Sequence, residues 1–82
     1  MIEQLLADLP VGDEAEIVDV RGGRGFRSRL ASMGLRKGQI IKKLSRVGWG
    51  GPVVVVVNRA QVAIGRGMSR KIVVRRNHGS KD

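Results

Sequence analysis

The sequence predicts a mostly β fold, a small five-stranded barrel with one helix inserted after the first strand. Three observations predict it. The chain has 82 residues, which fits a single domain. Five short segments carry apolar residues in strand-like patterns, and turns rich in glycine, proline or asparagine separate them. One segment between the first two strands has helical spacing instead. Closure into a barrel would leave no exposed edge strand.

The first elements follow from the spacing of apolar residues. Residues 1–9 carry a stripe at i, i+3, i+4 and i+7 that predicts a short helix, formed by Ile2, Leu5, Leu6 and Leu9. A turn is expected over residues 10–13, which include proline and glycine. The first strand is expected over residues 14–20. Its alternation slips between Ile17 and Val18, which indicates either a β-bulge or burial on both faces.

A helix is predicted over residues 26–33, because Phe26, Leu30 and Met33 fall on one helical face. Gly34 stands where a C-terminal helix cap belongs. Further along the chain, a short helical turn is expected over residues 65–69. The other four strands are predicted over residues 39–44, 53–57, 61–64 and 72–74.

A tight turn at Asn58-Arg59 is expected to join the third and fourth strands. We expect one domain over residues 1–76 and a disordered tail over residues 77–82. The predicted core comprises Ile17, Val20, Phe26, Leu30, Met33, Ile41, Val55 and Ile64.

Charge is distributed very unevenly along the chain. It has 16 basic and 7 acidic residues, a formal net charge of +9. Six of the seven acids fall in the first 19 residues, whereas all 16 basic residues lie between Arg21 and Lys81. Folding must bring part of the acidic segment against the basic one, and much positive charge should remain on the surface. Such a surface favours nucleic acid, an anionic membrane face or an acidic protein as partner. A solvated face that only aids solubility is the alternative.

The residue types give no support to catalysis or metal binding. Cysteine is absent, and the single histidine, His78, lies in the predicted tail, where a general base could not be held in place. The carboxylates crowd into the first strand and its approach without metal-ligand spacing. We therefore expect a protein that is not an enzyme, with no catalytic residues, no cofactor and no metal site.

Location can also be predicted. No apolar run approaches the roughly 20 residues of a membrane-spanning helix, and the N-terminus lacks the basic start of a signal peptide. We expect a cytoplasmic protein without a membrane-spanning segment, recruited to the inner face of the membrane where its partner requires it.

Two exposed-looking segments are candidate binding elements. The run Arg-Gly-Gly-Arg-Gly at residues 21–25 could cradle a phosphate at a helix N-terminus, resemble an RNA-binding segment, or serve as a flexible turn. We favour the turn, because the run lacks the Lys-Ser/Thr ending of a nucleotide-binding loop. Trp49 lies between two glycines and could be an exposed anchor or a lid on the core.

Three motifs together resemble the ferrous iron transport protein A (FeoA) family. They are Asp-Leu-Pro-Val-Gly at residues 8–12, Leu-Ala-Ser-Met-Gly-Leu-Arg-Lys-Gly at residues 30–38, and Gly-Gly-Pro-Val at residues 50–53. Residues 63–64 and 72–74 fit the last two strands of the family. The resemblance covers the chain from about residue 5 to residue 74.

The resemblance implies an SH3-like barrel with a helix after the first strand, in agreement with the order of elements above. It also implies a small cytosolic accessory protein that regulates a ferrous iron transporter by binding the cytosolic part of that membrane GTPase. Neither transport nor GTP hydrolysis would belong to this chain. Self-association remains open, and a basic small barrel that binds nucleic acid is the alternative function.

The binding surface is predicted on the loop and helix of residues 22–33. The glycines would let the loop approach a partner closely, and the arginines would extend from the helix with their charges in water. The predicted partner-binding residues are Gly22, Gly23, Arg24, Gly25, Arg27, Arg29 and Trp49.

Overall fold

The computed structural model describes residues 2–48 and 50–76. Within them, six strands form one antiparallel sheet, and a 3-10 helix and two α-helices connect them. The elements are β1 (Glu3–Leu5), the 3-10 helix (Leu6–Asp8), β2 (Glu14–Val20), α1 (Arg24–Ser32), β3 (Ile40–Arg46), β4 (Val53–Val57), β5 (Ala60–Ile64), α2 (Arg66–Ser69) and β6 (Ile72–Arg76).

The sheet has the order β1-β6-β2-β3-β4-β5. Strands β2 to β5 form a meander, and β6 returns to lie between β1 and β2. The predicted mostly β, SH3-like fold is confirmed. The sheet has six strands rather than five, however, and among the described residues no pairing joins the edge strands β1 and β5, so the sheet is open.

The extra strand comes from the segment predicted to be helical. Glu3–Leu5 pairs with β6, and the 3-10 helix follows directly. An isolated helix this short is marginal in water, whereas an edge strand gains backbone hydrogen bonds from a neighbour that is already in place. Part of the predicted apolar stripe still packs into the core in this arrangement, since Leu6 and Leu9 are buried while Ile2 is exposed.

The irregularity in the first predicted strand is a β-bulge. The register of β2 against β6 shifts between Ile17 and Asp19. Val18 is the extra residue, and it allows both Ile17 and Val20 to be buried. The backbone N–H of Val20 donates to Asp19 Oδ1 at 2.9 Å. The slip in the sequence alternation therefore marks the position at which the strand switches which residues point into the core.

Strands β4 and β5 form a hairpin at the other end of the meander. Val53, Val55 and Val57 are buried, and the two valines between them are half-buried. Both turn residues, Asn58 and Arg59, have positive φ angles, of 52° and 67°. This is the backbone twist that two-residue hairpins prefer, so the predicted tight turn is confirmed.

Helix α1 ends in a Schellman motif. The N–H of Gly34 donates to the carbonyl of Ala31, and the N–H of Leu35 donates to the carbonyl of Leu30, each at 2.9 Å. Gly34 has a φ of 89°, so the predicted cap is confirmed. None of the helices in residues 2–48 and 50–76 has the length and apolarity needed to cross a membrane.

We expect the substitution Gly34→Ala to lower the free energy of unfolding by about 1–2 kcal/mol, because a β-carbon is strained at this positive φ. Its position would also lie 3.4 Å from Asn58 Nδ2. Gly25→Ala in α1 is the matched control. The site of its β-carbon is open, so alanine should stabilise the helix by roughly 0.5–1 kcal/mol. Urea titration of both variants measures the difference, and equal effects would contradict the assignment of the cap.

Candidate partner-binding surface

Helix α1 has one anchored face and one basic face. Leu30 is completely buried, and the half-buried Phe26 and Met33 pack against the same core. Because the apolar residues recur at helical spacing, the arginines between them point away from the sheet. Arg27 and Arg29 are both exposed. The helix is thus fixed by a few apolar contacts while its charges remain available to a partner.

The residues predicted to bind a partner are placed as follows. Gly22, Gly23, Arg24 and Gly25 are exposed, as are the two arginines further along the helix. Trp49 lies outside the described residues. The role of all seven as a partner-binding site stays a prediction.

A groove runs along one side of α1. Its volume is about 390 Å³, and it is lined by Val20, Arg27, Ala31, Leu35, Arg36 and Lys37. The floor is apolar, since Val20 and Leu35 are buried. The rim is formed by three exposed basic residues. We call this set of six residues the cationic groove.

The Schellman motif explains why Arg36 and Lys37 join Arg27. It reverses the chain at Gly34, so the residues after the helix return beside its last turns. Sequence reasoning missed both residues because they lie between the predicted helix and the next predicted strand. The available signal was a basic pair immediately after a helix cap. Neither Arg24 nor Arg29 lines the groove.

The acidic residues do not neutralise the cationic groove. Among the described residues, ion pairs form between Glu3 and Arg75, at 3.2 Å, and between Asp13 and Arg76. Both join the acidic N-terminal segment to β6, as the charge distribution predicted. No acid lines the groove. A further cation, Lys71, lies 5.0 Å from the centre of the Phe26 ring near the start of α1.

A buried lysine that sequence reasoning overlooked holds the N-terminal segment. Lys43 is only 1% exposed. Its ammonium donates to the carbonyl oxygens of Leu6, Ala7 and Leu9 at 3.1, 3.1 and 2.7 Å. The signal was present, because period-two alternation puts Lys43 on the same face of β3 as Ile41.

The surroundings of Lys43 shift the pKa of its ammonium in opposite directions. Burial lowers the pKa of its ammonium below the usual 10.5, and the nearby positive charge of Arg46 lowers it further, whereas Asp8 raises it. The Lys43 side chain can donate to all three carbonyls at once only in its charged form, which has three N–H donors. The group is therefore suited to holding backbone in place.

The described residues offer no ready-made metal site. They contain no cluster of three or more His, Cys, Asp or Glu side chains that could hold an ion. His78 lies outside them. The expected lack of a dedicated metal site stays a prediction.

Two comparisons with known proteins identify a family. The profile of the FeoA domain matches residues 4–76. A curated protein of Methanocaldococcus jannaschii, named as an Fe(2+) transport protein A, is 35% identical over 69 residues, which cover 84% of this chain and 82% of that protein.

Solved structures show the same likeness. The crystal structure of an iron uptake regulatory protein (FeoA) has a TM-score of 0.84 at 31% identity, over 94% of this chain and all of the other. The solution structure of the FeoA protein from Chlorobium tepidum has a TM-score of 0.84 at 29% identity, over 95% of this chain and 74% of that chain.

Proposed function

The chain belongs to the FeoA domain family, and from this premise we propose that it binds the cytosolic GTPase domain of a membrane ferrous iron transporter. Membership supports an accessory role in ferrous iron transport. In this proposal the chain regulates the transporter by docking and carries out no catalysis of its own. It would work in the cytoplasm and be recruited to the inner face of the membrane by its partner.

One observation carries the proposal: the cationic groove combines an apolar floor with a basic rim that no acid neutralises. The floor offers area for a partner side chain to bury, and burial of apolar surface supplies most of the affinity in such contacts. Arg27, Arg36 and Lys37 select for an acidic partner surface. Complementary charge mainly accelerates association and excludes wrong partners.

The rest of the basic face extends the same surface. Arg24 and Arg29 project from α1 outside the groove, and the exposed glycines before the helix leave the backbone accessible. We place the hydrophobic contact in the groove and the longer-range attraction on the whole face of α1.

The experiment is a charge reversal in the cationic groove. The double variant Arg27→Glu with Arg36→Glu should slow association with the transporter's cytosolic domain by about tenfold or more at low salt, because steering depends on charge. Both residues are exposed, so the thermal midpoint should stay nearly unchanged. Surface plasmon resonance at two salt concentrations measures the rates.

The matched control is Arg66→Glu with Arg70→Glu, which changes the net charge equally but lies on α2 and the residue after it, outside the groove. At the higher salt concentration, about 0.15 M, its association rate should stay within about threefold of the parent, since charges more than about 8 Å from the contact are then largely screened. If both double variants slow association equally, net charge alone would explain the effect, and the cationic groove would not be the binding site. Tight binding of the parent to DNA or RNA that falls steeply with salt would instead favour the nucleic-acid alternative.

A further inference from the structure

A second cavity lies away from the cationic groove and shares no lining residue with it. Its volume is about 410 Å³, and four separate parts of the chain surround it. The 3-10 helix contributes Asp8, the end of β3 contributes Arg46, and α2 with the residue after it contributes Arg66 and Arg70. The fourth part is the loop before β4. We call this site the arginine cavity.

The three guanidinium groups of the arginine cavity lack acidic partners among residues 2–48 and 50–76. Both ion pairs in those ranges involve β6 arginines instead. Arg46, Arg66 and Arg70 are exposed, yet they come from two separate elements and converge on one concavity. Like charges repel at such a site unless an anion joins them. Their convergence therefore points to an anionic ligand.

The loop wall of the cavity is built from close backbone packing. A β-carbon on Gly51 would overlap the carbonyl oxygen of Val47, so a side chain there would force the loop to move. A β-carbon on Gly50 would lie 3.1 Å from Cζ of Arg66. Glycine at both positions lets the loop close up and lets the Arg66 guanidinium lie against it.

The buried ammonium of Lys43 adds positive potential next to the cavity. It donates to the carbonyl of Ala7, which itself lines the cavity. Arg46 and Asp8 both influence the pKa of Lys43, in opposite directions, which places all three charges within one electrostatic environment. The three lining guanidinium groups therefore outnumber the one lining carboxylate, and the buried ammonium of Lys43 adds a fourth positive charge nearby.

We propose that the arginine cavity binds the diphosphate group of a small molecule. Guanidinium groups donate paired N–H groups that match phosphate oxygens, and three of them exceed what a single carboxylate or chloride can neutralise. A diphosphate supplies several negative charges and more acceptor oxygens. Asp8, which also lines the cavity, can accept a hydrogen bond from a hydroxyl group on the rest of the ligand. This site is independent of the proposed docking function.

Titration calorimetry with inorganic pyrophosphate and with ADP tests the proposal on the full chain. At about 0.15 M salt, where weak surface attraction is largely screened, one equivalent should bind per chain. Arg66→Gln and Arg70→Gln should each weaken binding by about tenfold or more, because each removes a charge-assisted contact. Asp8→Asn should tighten the binding of pyrophosphate by removing the one repulsive charge.

The control is Arg27→Gln with Arg36→Gln in the cationic groove, which should bind pyrophosphate like the parent. ADP binding more tightly than pyrophosphate would assign a nucleoside diphosphate, and equal affinities would assign the diphosphate alone. Absence of one-to-one binding by either probe would overturn the proposal. Equal weakening in the control and in the Arg66→Gln and Arg70→Gln variants would also overturn it. Amide shifts on binding should centre on residues 50–51 and 66–70, which gives a readout that needs no variant.

Discussion

Replacing Lys43 with methionine should lower the free energy of unfolding by about 2–4 kcal/mol, because three backbone carbonyl oxygens, in two buried hydrogen bonds and one partly buried one, lose a charged donor at once. Methionine fills similar space but donates no hydrogen bond. The carbonyls of Leu6, Ala7 and Leu9 then have no partner from the β3 side. The 3-10 helix should loosen first, and the urea midpoint of the variant measures the loss.

The control is Lys42→Met on the neighbouring position of the same strand. Lys42 is exposed, so its replacement should change stability by less than about 0.5 kcal/mol. If Lys43→Met changes stability as little as Lys42→Met, the expected loss is contradicted. The free-energy cost of burying the ammonium would then equal the gain from its three hydrogen bonds, as happens for some buried ion pairs.

The pH dependence of the Lys43→Met effect gives an independent check. With its pKa lowered in the folded state, Lys43 holds its proton less firmly there than in the unfolded chain. In the window between that lowered pKa and 10.5, the unfolded chain therefore binds more protons, and stability from this group rises with pH. The destabilisation caused by Lys43→Met should grow as pH rises through this window. The opposite slope would show that the three hydrogen bonds outweigh burial and raise the pKa.

Local patterns predicted most elements because local physics decides them. Alternating burial along the valines of β4 and the span of β2 follow from period-two facing. The cap at Gly34 follows from the need for a positive φ after a helix. In each case the residues that carry the signal are also the residues that make the contact.

The features that the sequence did not predict depend on contacts between segments that are distant in the chain. The return of β6 between β1 and β2 turned the segment Glu3–Leu5 into a strand, and no pattern within that segment records its partner. The cationic groove combines Arg27 with residues after the cap, and the arginine cavity gathers Asp8, Arg46 and Arg70, which lie more than 20 positions apart. Period-two alternation did mark Lys43 as inward-facing, but its acceptors lie over 30 residues away.

The largest apolar effect should come from Leu30→Ala, which we expect to destabilise the fold by about 2–5 kcal/mol. Leu30 is fully buried and is the one buried side chain that α1 contributes to the core. Truncation removes apolar area and leaves a cavity between helix and sheet. On a domain of this size, whose total stability is only about 5–15 kcal/mol, such a loss would raise the unfolded population greatly.

The same substitution should show how far α1 depends on the sheet. A helix of nine residues has little stability in isolation, so its amides should lose protection from hydrogen exchange before those of β2 and β4. Leu30→Met nearly conserves volume and should cost less than about 1.5 kcal/mol with α1 still protected. Because Arg27 and Ala31 line the cationic groove from α1, Leu30→Ala should also weaken docking to the transporter domain at a temperature where β2 and β4 remain protected. Docking that persists after α1 has lost its protection would place the partner contact outside this helix.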